Sequence, residues 1–458
     1  MLDADPVRKG PFDTALEQLE AGLSGQNFHS VIGRLTNVSG AGLQTTLTDV
    51  SIGQVCRLRD PHTRRTIQSQ VIGIDNGCAI LAPFDDVDGL SPETEVLPER
   101  EPFSFWISDD VLGSVLDGLG RPIDQSVLDR PDDPSRKRCE INSQAPSLLK
   151  RRLVDTPLET GTKVIDGCLT LGEGQRLAIF GAPGSGKTSL LGSLARNSSA
   201  DVCVLALIGE RGRELGEFLE RQLPADLRSN CVIVASTSDR PAMERITGAH
   251  VATRIAEHFR DQGKRVLLLF DSMTRYARAL REVGLAAGEP AVRRGFTPSV
   301  YAELPKLIER CGRTDTGSIT AIYTVLTEND DLGDPISDEI RSLTDGHISL
   351  SRSLAQKGHF PAIDVLGSIS RIMPDLVESE QIELVGRVRE LLAKYQEIEL
   401  LVQVGEYEAG NDRLADEAVE RKAALDAFFR QPSDTSVSLA ETLDEMRAAL
   451  GWGEVEYQ

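Results

Sequence analysis

The chain has 458 residues, of which 40% are hydrophobic and 26% charged, and its formal net charge is −21. This length exceeds what one hydrophobic core usually serves and predicts two or three domains. The acidic balance disfavours nucleic acid as the main partner, because phosphate backbones are bound by clustered Lys and Arg side chains.

The cysteines and the amino terminus predict a protein of the reducing cytoplasm. The seven cysteines stand singly with no CxxC pair, a spacing that suits neither a zinc site nor a disulfide framework. The first residues, MLDADPVRKG, lack the apolar stretch of a secretory signal. No run approaches the roughly 18 apolar residues of a membrane span. We therefore expect any membrane association to go through partner proteins.

Residues 1–27 are predicted to be a docking segment. Phe12, Leu16, Leu19 and Leu23 follow helical spacing, which would give a helix one apolar face. Such a face could bind another protein or pack on the chain's own domain, and the sequence leaves both interpretations open.

Residues 28–98 predict a small β-barrel or sandwich. Short alternating runs such as SVIGRLTNV, LQTTLTDV and SQVIGID are separated by Gly, Asn and Asp. This alternation is typical of an all-β domain with one buried face to each strand. Nothing in this region suggests catalysis.

Residues 99–380 predict an α/β domain with a mainly parallel sheet. Five nearly continuous apolar runs alternate with helical patterns: QRLAIF, VCVLALIG, CVIVAST, RVLLLFD and SITAIYTVL. Continuous apolar character is expected of parallel strands buried on both faces, and the alternation predicts right-handed βαβ units. Before the fourth run, apolar residues from Met243 to Phe259 follow helical spacing, and Gly263 is placed to end that helix.

The loop GAPGSGKTS, residues 181–189, predicts a phosphate-binding site. Gly181, Gly186, Lys187 and Thr188 satisfy the pattern G-x-x-x-x-G-K-[ST], between a predicted strand and a predicted helix. Glycines let backbone N–H groups turn inward around phosphates, and the helix adds the positive end of its dipole. We expect Lys187 to reach the β- and γ-phosphates and the Thr188 hydroxyl to bind Mg²⁺.

Two acidic residues follow the next strands of the predicted sheet. Asp271 ends RVLLLFD and could hold the metal through its water shell, or it could cap the following helix. Glu210 follows VCVLALIG, where adjacent strands would bring it to the same rim as Thr188. It could orient the water for hydrolysis, or it could form a surface salt bridge.

Residues 381–458 predict a helical, acidic carboxyl-terminal domain. One helical stripe is predicted, made of Leu384, Val388, Leu391, Leu392, Tyr395 and Ile398. A second helix is predicted in RLADEAVERKAALDAFFRQ before Pro432, and a third in LAETLDEMRAAL.

Several blocks of the sequence together resemble the rotary-type ATPases related to the ATP synthase catalytic subunit. They are GERGRELGEF, LLLFDSMTRYARA, GEPAVRRGFTPSVYAELPKLIERCGR, GSITAIYTVL and GHFPAIDVLGSISRIM. Within that group they are most similar to the ATPase of the type III protein export apparatus, flagellar or injectisome. The resemblance covers roughly residues 28–430. It implies an amino-terminal β-barrel, a RecA-like nucleotide domain and a carboxyl-terminal helical domain.

The resemblance also implies a role for particular residues. It places Lys187, Thr188 and Asp271 at the phosphates and magnesium, and it makes Glu210 the residue that positions the hydrolytic water. Further residues are assigned by the same matching: the loop Gly181, Ala182, Pro183, Gly184, Ser185, Gly186 and Ser189 to the nucleotide, Arg211 and Arg275 to the vicinity of the γ-phosphate, Phe360 to the adenine, and Arg371 to an arginine finger donated to the neighbouring subunit. Many relatives have valine where this chain has Ser185, and the stretch TENDDLGDP is a variant with no assigned role.

The function implied by the resemblance is Mg²⁺-dependent ATP hydrolysis that energises protein export. The expected assembly is a homohexameric ring in the cytoplasm, peripheral to the inner membrane at the base of the export apparatus. Expected partners are a central stalk, negative-regulator or stator proteins, and export chaperones with their substrates. The loop GEPAVRRGFTPS, with Arg293 and Arg294, matches the segment that faces the central hole of the ring.

Three other functions share the nucleotide core. An ATP synthase catalytic subunit would read differently after the GER motif. A hexameric RNA translocase would need an RNA-binding surface, which the acidic charge disfavours. A non-catalytic ring subunit would lack the water-positioning glutamate, whereas Glu210 is present.

Overall fold

The computed structural model describes residues 32–38, 42–123, 136–327 and 334–452. The predicted docking segment 1–27 and the central residues of TENDDLGDP lie outside these ranges. No described helix combines the length and the apolar character needed to cross a bilayer.

Six antiparallel strands near the amino terminus close into a barrel in the order β1-β2-β5-β4-β3-β6, with β6 pairing back onto β1. The strands are β1 (Gly33–Val38), β2 (Leu43–Thr45), β3 (Val55–Arg59), β4 (Thr66–Asp75), β5 (Cys78–Pro83) and β6 (Glu95–Pro98). Buried and more exposed residues alternate along β4, because successive side chains of a strand point to opposite faces. The barrel interior is filled by apolar side chains such as Leu43, Leu58, Leu81 and Val96. The predicted all-β domain is confirmed.

A nine-stranded, mostly parallel sheet forms the centre of the molecule, with the strand order β19-β18-β12-β17-β15-β13-β14-β8 and β16 paired to β17. Its strands are β8 (Val115–Asp117), β12 (Arg176–Gly181), β13 (Val202–Ile208), β14 (Cys231–Ser236), β15 (Arg265–Asp271), β16 (Gly312–Arg313), β17 (Ser318–Leu326), β18 (Gly346–Leu350) and β19 (Ile363–Ser370). Two small pairs accompany it: β7 (Ser104–Ile107) with β9 (Lys137–Glu140), and β10 (Pro157–Leu158) with β11 (Leu171–Gly172). Every residue of β13 and β14 is buried, as expected of strands covered on both faces.

Nine helices belong to the described part of the central domain. They are α1 (Lys163–Cys168), α2 (Lys187–Asn197), α3 (Gly212–Glu217), α4 (Ala242–Asp261), α5 (Met273–Ala286), α6 (Pro298–Ile308), α7 (Pro335–Leu343), α8 (Arg352–Gln356) and α9 (Met373–Leu376). Short 3₁₀ turns occur at Asp109–Val111, Leu148–Lys150, Ala225–Leu227 and Arg293–Gly295, and a π-helical turn at Phe218–Gln222 follows α3. The predicted helix ending before Gly263 is α4, and Gly263 has a φ of +86°, a conformation that glycine adopts readily.

A buried ion pair between Glu257 of α4 and Arg310 connects this helix to the turn after α6. The Arg310 guanidinium donates to both carboxylate oxygens of Glu257, at 2.7 and 3.0 Å, and to the Ile141 carbonyl at 3.1 Å. Both charged side chains are almost completely buried. Burial and the Arg310 charge lower the pKa of the adjoining His250 to about 3, so this imidazole is neutral at physiological pH.

Three helices form the carboxyl-terminal domain, as the sequence predicts. They are α10 (Ser379–Val404), α11 (Arg413–Phe429) and α12 (Leu439–Leu450). Asp412 caps α11 by accepting from the Leu414 and Ala415 N–H groups, and Ser438 with Glu441 forms a capping box at α12. Of the predicted stripe, Leu384, Val388, Leu391 and Ile398 are buried. Leu392 and Tyr395 are only partly buried and pack against the same core. Gln431, after α11, accepts from the backbone N–H of Lys163 at 2.8 Å and so joins this domain to the start of α1.

The rim at the carboxyl ends of the parallel strands collects the residues singled out in the sequence. The phosphate loop follows β12, Glu210 follows β13 and Asp271 ends β15. The expectation that adjacent strands carry Glu210 and Thr188 is wrong, because β17 and β15 lie between β12 and β13. The connection from β12 through α2 to β13 passes over two positions in the sheet. Strands β15 and β17, which come later in the chain, occupy these positions.

Candidate functional site

The phosphate loop is a tight turn closed by Ser185. Gly184 and Gly186 have φ values of +79° and +89°, a region open to glycine and costly for other residues. The Ser185 hydroxyl is buried and donates to the Ala182 carbonyl at 2.8 Å. The variant serine therefore serves the internal geometry of the loop. Lys187 begins α2, so the loop leads directly into a helix amino terminus, which favours an anion.

Lys187 lies beneath this loop with its ammonium group enclosed. Its side chain donates to the Gly181 carbonyl at 2.9 Å, and the residue is buried. Burial lowers the pKa of Lys187, whereas the negative charges of Asp271 and Glu210 oppose the shift. A positive charge with few solvent contacts at a helix amino terminus is suited to bind phosphate oxygens.

Phe360, which is distant in sequence from the phosphate loop, packs close to it at Gly186. A Cβ placed on Gly186 would stand 3.2 Å from the Phe360 ring, so the absence of a side chain at Gly186 permits this approach. The ring remains 44% exposed. An aromatic face that is held at the loop and open to solvent can stack on a planar base.

The Asp271 carboxylate is buried beneath the same rim. Its Oδ1 accepts a hydrogen bond from the Thr324 hydroxyl at 2.5 Å. Burial raises the pKa of Asp271, and the bond from Thr324 and the positive charge of Lys187 oppose this. Ser272 is the N-cap residue of α5, and no side chain caps that helix. The capping interpretation of Asp271 is therefore not supported.

Glu210 faces Arg275 across a gap. Glu210 Oε1 and Arg275 Nε are 3.7 Å apart, and each atom is buried without a hydrogen-bond partner. Burial raises the pKa of Glu210 to about 7, with the negative charge of Asp271 adding to the shift and Arg275 opposing it. An enclosed carboxylate oxygen with free hydrogen-bonding capacity can accept a proton from a water molecule.

These groups line one cavity of about 580 Å³. Its walls include eleven of the predicted residues: Pro183, Gly184, Gly186, Lys187, Thr188, Ser189, Glu210, Arg211, Asp271, Arg275 and Phe360. Gly181, Ala182 and Ser185 belong to the loop without lining this cavity. Arg211 is 70% exposed at its side chain and pairs with Glu214 at 3.2 Å, so it stands at the mouth.

A second cavity of about 540 Å³ adjoins the first at Gly186, Ser189 and Phe360. Its far wall comes from Pro361 and from residues 431–434 after α11. Phosphate groups and a base could therefore occupy two neighbouring compartments, with Phe360 in the wall of both. The sequence contains no signal for the contribution of residues 431–434, because only the fold brings the carboxyl-terminal domain to the loop.

Arg371 is far from the cavity of its own chain. It follows β19, whose last residue Ser370 pairs with Gly346 at the start of β18. Strand β18 runs parallel to β12, and its last residue Leu350 pairs with Gly181. Arg371 therefore lies at the amino edge of β12, opposite to the edge that carries the phosphate loop.

Thr324 is a site residue that the sequence analysis does not identify. It is completely buried in β17, beside β15, and holds one oxygen of Asp271. The available signal is modest: a threonine near the end of a strand that is otherwise mostly apolar.

The residues present fit a magnesium ion. Mg²⁺ prefers oxygen ligands and usually takes one or two protein groups, with phosphates and water completing its shell. Thr188 and Asp271, which carry such oxygen groups, both line the cavity. Thr324 occupies one carboxylate oxygen of Asp271 and leaves the other for the ion or its water.

The parallel sheet, the glycine loop and the acidic rim define a P-loop nucleotide-binding protein. The model of the ATP synthase alpha/beta family, nucleotide-binding domain, matches residues 161–370. The model of the T3SS EscN ATPase C-terminal domain matches residues 377–448.

Similar proteins cover nearly the whole chain. A type 3 secretion system ATPase of Xanthomonas euvesicatoria is 49% identical over 412 residues, which are 90% of this chain and 92% of that protein. A flagellum-specific ATP synthase of Treponema pallidum is 41% identical, with 92% and 93% covered. The assembled ATPase EscN of enteropathogenic E. coli is 43% identical, covers 91% of this chain and all of that one, and superposes with a TM-score of 0.86. The chain belongs to the type 3 secretion system ATPase family. The predicted family and three-part fold are confirmed.

Proposed function

We propose that the chain is a Mg²⁺-dependent ATPase that energises type III protein export. The observation that carries this proposal is the joining of Lys187, Thr188, Asp271 and Glu210 on one cavity. The phosphate loop and the buried Asp271 carboxylate account for binding of nucleotide and metal. Glu210 adds a carboxylate that could activate water, which binding alone does not require.

The geometry suggests a division of labour in hydrolysis. Lys187 and the loop N–H groups hold the β- and γ-phosphates, and Thr188 with Asp271 holds the ion that neutralises them. Glu210 orients the attacking water through its unpartnered Oε1 and accepts its proton. Arg275, across the gap, adds positive charge near the γ-phosphate.

The position of Arg371 favours a ring of identical subunits. Its own loop lies at the other edge of the sheet, which supports the proposal that Arg371 serves a site on another copy. A finger arginine is worth roughly 10³–10⁵ in rate, and its donation between copies would couple hydrolysis to assembly. The solved relative is described as the assembled ATPase EscN, which supports a ring, and we propose six copies.

The relatives also suggest partners. EscN has been solved in complex with its central stalk EscO and is 42% identical to this chain, with a TM-score of 0.82. We propose a corresponding stalk here, contacted by the exposed loop of Arg293 and Arg294, together with stator proteins, chaperones and export substrates. A cytoplasmic ring at the base of an export apparatus in the inner membrane agrees with these partners. We propose domains at residues 1–27, 28–98, 99–380 and 381–458.

The test of catalysis is the substitution Glu210→Gln. This change keeps the shape of the side chain and removes its ability to take a proton, so we expect ATP turnover to fall by about 10²–10⁴ with ATP binding retained. Turnover of radiolabelled ATP and equilibrium binding of a fluorescent ATP analogue measure the two properties. Glu420→Gln, an exposed carboxylate in α11 outside this cavity, is the matched control. Undiminished turnover in Glu210→Gln would remove Glu210 from the mechanism and revive a role in nucleotide binding alone.

A further inference from the structure

Three leucines after β9 are unusually exposed. Leu148, Leu149 and Leu153 have 87%, 91% and 85% of their surface accessible, whereas the next most exposed large hydrophobic side chains of the described residues, Ile52 and Leu400, reach 70%. We call these three side chains the leucine patch. Clustered apolar side chains on a surface mark a site of association rather than ordinary variation.

The backbone beneath the leucine patch is held firmly. Arg151 forms an isolated β-bridge with Thr314, and its guanidinium donates to the Glu309 carbonyl at 2.9 Å and pairs with the Glu309 carboxylate at 2.8 Å. Val154 covers Gly172, where an added Cβ would collide with it. The leucines are therefore presented outward by an anchored segment, which lowers the entropic cost of binding a partner.

A chain of polar contacts places the leucine patch on the same edge of the sheet as Arg371. Glu309 pairs with Arg151 at 2.8 Å and with Arg176 at 2.5 Å. Arg176 in turn pairs with Asp345 at 3.2 Å, and the Arg371 N–H donates to the Asp345 carbonyl at 3.0 Å. The patch and the proposed finger thus lie at the same edge of the sheet, the amino edge of β12.

We propose that the leucine patch packs against a second copy of this chain, at the seam across which Arg371 is donated. This inference rests on the proposed ring. In a ring each subunit uses two different surfaces, one donating and one receiving, and the patch belongs to the donating surface. An apolar patch bordered by Lys150 and Arg152 matches an interface with an apolar centre and a charged rim.

The experiment compares two triple variants of the full-length chain. The first is Leu148→Ser with Leu149→Ser and Leu153→Ser. The matched control is Leu400→Ser with Leu401→Ser and Val404→Ser, which removes exposed apolar surface (70%, 44% and 58% exposed) at the end of α10. Sedimentation velocity with Mg²⁺ and a non-hydrolysable ATP analogue gives the concentration at which copies assemble. We expect that concentration to rise at least roughly 10-fold in the patch variant and to stay unchanged in the control. Binding of a fluorescent ATP analogue by single copies should be unchanged in both.

The outcomes separate this inference from the proposed ring. A patch variant that assembles like the wild type overturns the proposal that the leucine patch is an interface, and it leaves the proposed ring intact. If that variant instead loses only binding to liposomes, the leucine patch is a lipid-binding surface, and the interface proposal is likewise overturned. Wild-type protein that remains single-copy with every nucleotide overturns both proposals. Hydrogen exchange provides a second measurement: backbone amides of residues 148–153 should become protected on assembly of the wild type, and unchanged exchange counts against the interface.

Discussion

Glu210 shows how burial changes the acidity of one carboxylate in the candidate site. An ordinary surface glutamate is ionised and fully hydrated at neutral pH, whereas the Glu210 side chain is 18% exposed and its Oε1 has no hydrogen-bond partner. Because burial and the neighbouring Asp271 carboxylate both disfavour its charge, the pKa of Glu210 rises to about 7. A base with a pKa near the working pH combines a substantial ionised fraction with useful proton affinity.

The raised pKa of Glu210 predicts the pH dependence of ATP hydrolysis. Below pH 7 Glu210 carries a proton and cannot accept one from water, so we expect kcat/KM to fall as the pH decreases and to level off above about 7. The kcat/KM profile between pH 5.5 and 9 measures the pKa of the free enzyme. In Asp271→Asn the loss of the adjacent negative charge should shift the remaining activity's midpoint to lower pH. A rate that is flat from pH 5.5 to 8 would contradict the assignment of Glu210.

At the residue scale the sequence could predict which polar groups line the candidate site, but not which neighbouring groups hold them in place. Lys187, Thr188, Asp271 and Glu210 were predictable because their positions after apolar strands place them at the carboxyl edge of a parallel sheet. Thr324 contacts Asp271 from 53 residues further along the chain, and that contact depends on β15 pairing with β17. Strand order is a long-range property, which a local pattern does not determine.

At the scale of the element, the strand, loop and helix of residues 176–197 form a unit that depends on Gly186. This residue combines a φ of +89° with a Phe360 ring that leaves little room for a Cβ. The loop conformation and the placing of the aromatic side chain therefore rest on the same small residue.

We expect Gly186→Ala to weaken ATP binding by roughly 10-fold or more, since an alanine at positive φ costs about 1–2 kcal/mol and its methyl group displaces Phe360. Titration with a fluorescent ATP analogue measures the loss. Gly216→Ala is the matched control, because Gly216 lies in α3 with no heavy atom within 4 Å of an added Cβ. Equal affinities in the two variants would show that the loop tolerates a side chain.

The buried pair of Arg310 and Glu257 makes a second prediction about elements. Arg310→Met leaves the buried Glu257 carboxylate with only the longer contact from Arg254, at 3.3 Å, so the free energy of unfolding should fall by up to roughly 3–5 kcal/mol. Calorimetric melting of the central domain measures this change. Adding Glu257→Gln to the same chain should recover part of the loss, and Arg213→Met, which removes an exposed partner of Glu217, should change little. An unchanged free energy of unfolding in Arg310→Met would contradict a stabilising role for this pair.

Element types were more predictable than element neighbours. The five apolar runs correspond to strands of the central sheet, and the carboxyl-terminal helices follow the predicted stripes. The short strand β8 was not predicted, because Val115–Asp117 acquires its strand geometry from pairing with β14. The antiparallel edge formed by β19 likewise depends on its return beside β18.

At the scale of the whole molecule, the two halves of the proposed active site lie on opposite edges of one sheet. The phosphate loop follows the carboxyl end of β12, and Arg371 lies level with its amino end. One chain therefore contains every proposed catalytic group but cannot bring them together alone.

Mixing two inactive variants tests this arrangement. Lys187→Ala removes the phosphate site and keeps the finger, whereas Arg371→Ala keeps the phosphate site and removes the finger. Some seams will join the intact phosphate loop of an Arg371→Ala copy to the intact Arg371 of a Lys187→Ala copy. We expect hydrolysis to reappear at these seams, which make up at most about a quarter of all seams in an equal random mixture. Steady-state ATP turnover across mixing ratios measures the recovery. Mixtures as inactive as their components at every ratio would contradict donation of Arg371 between copies.

The placing of Arg371 also has a genetic consequence. Under the proposed donation between copies, a mutation at this position leaves the nucleotide pocket of its own copy intact and impairs the pocket of the neighbouring copy. In a cell that makes both normal and altered protein, the proposed export activity should decline further than the share of altered protein would suggest, so the allele would behave as dominant even though it encodes a loss of function.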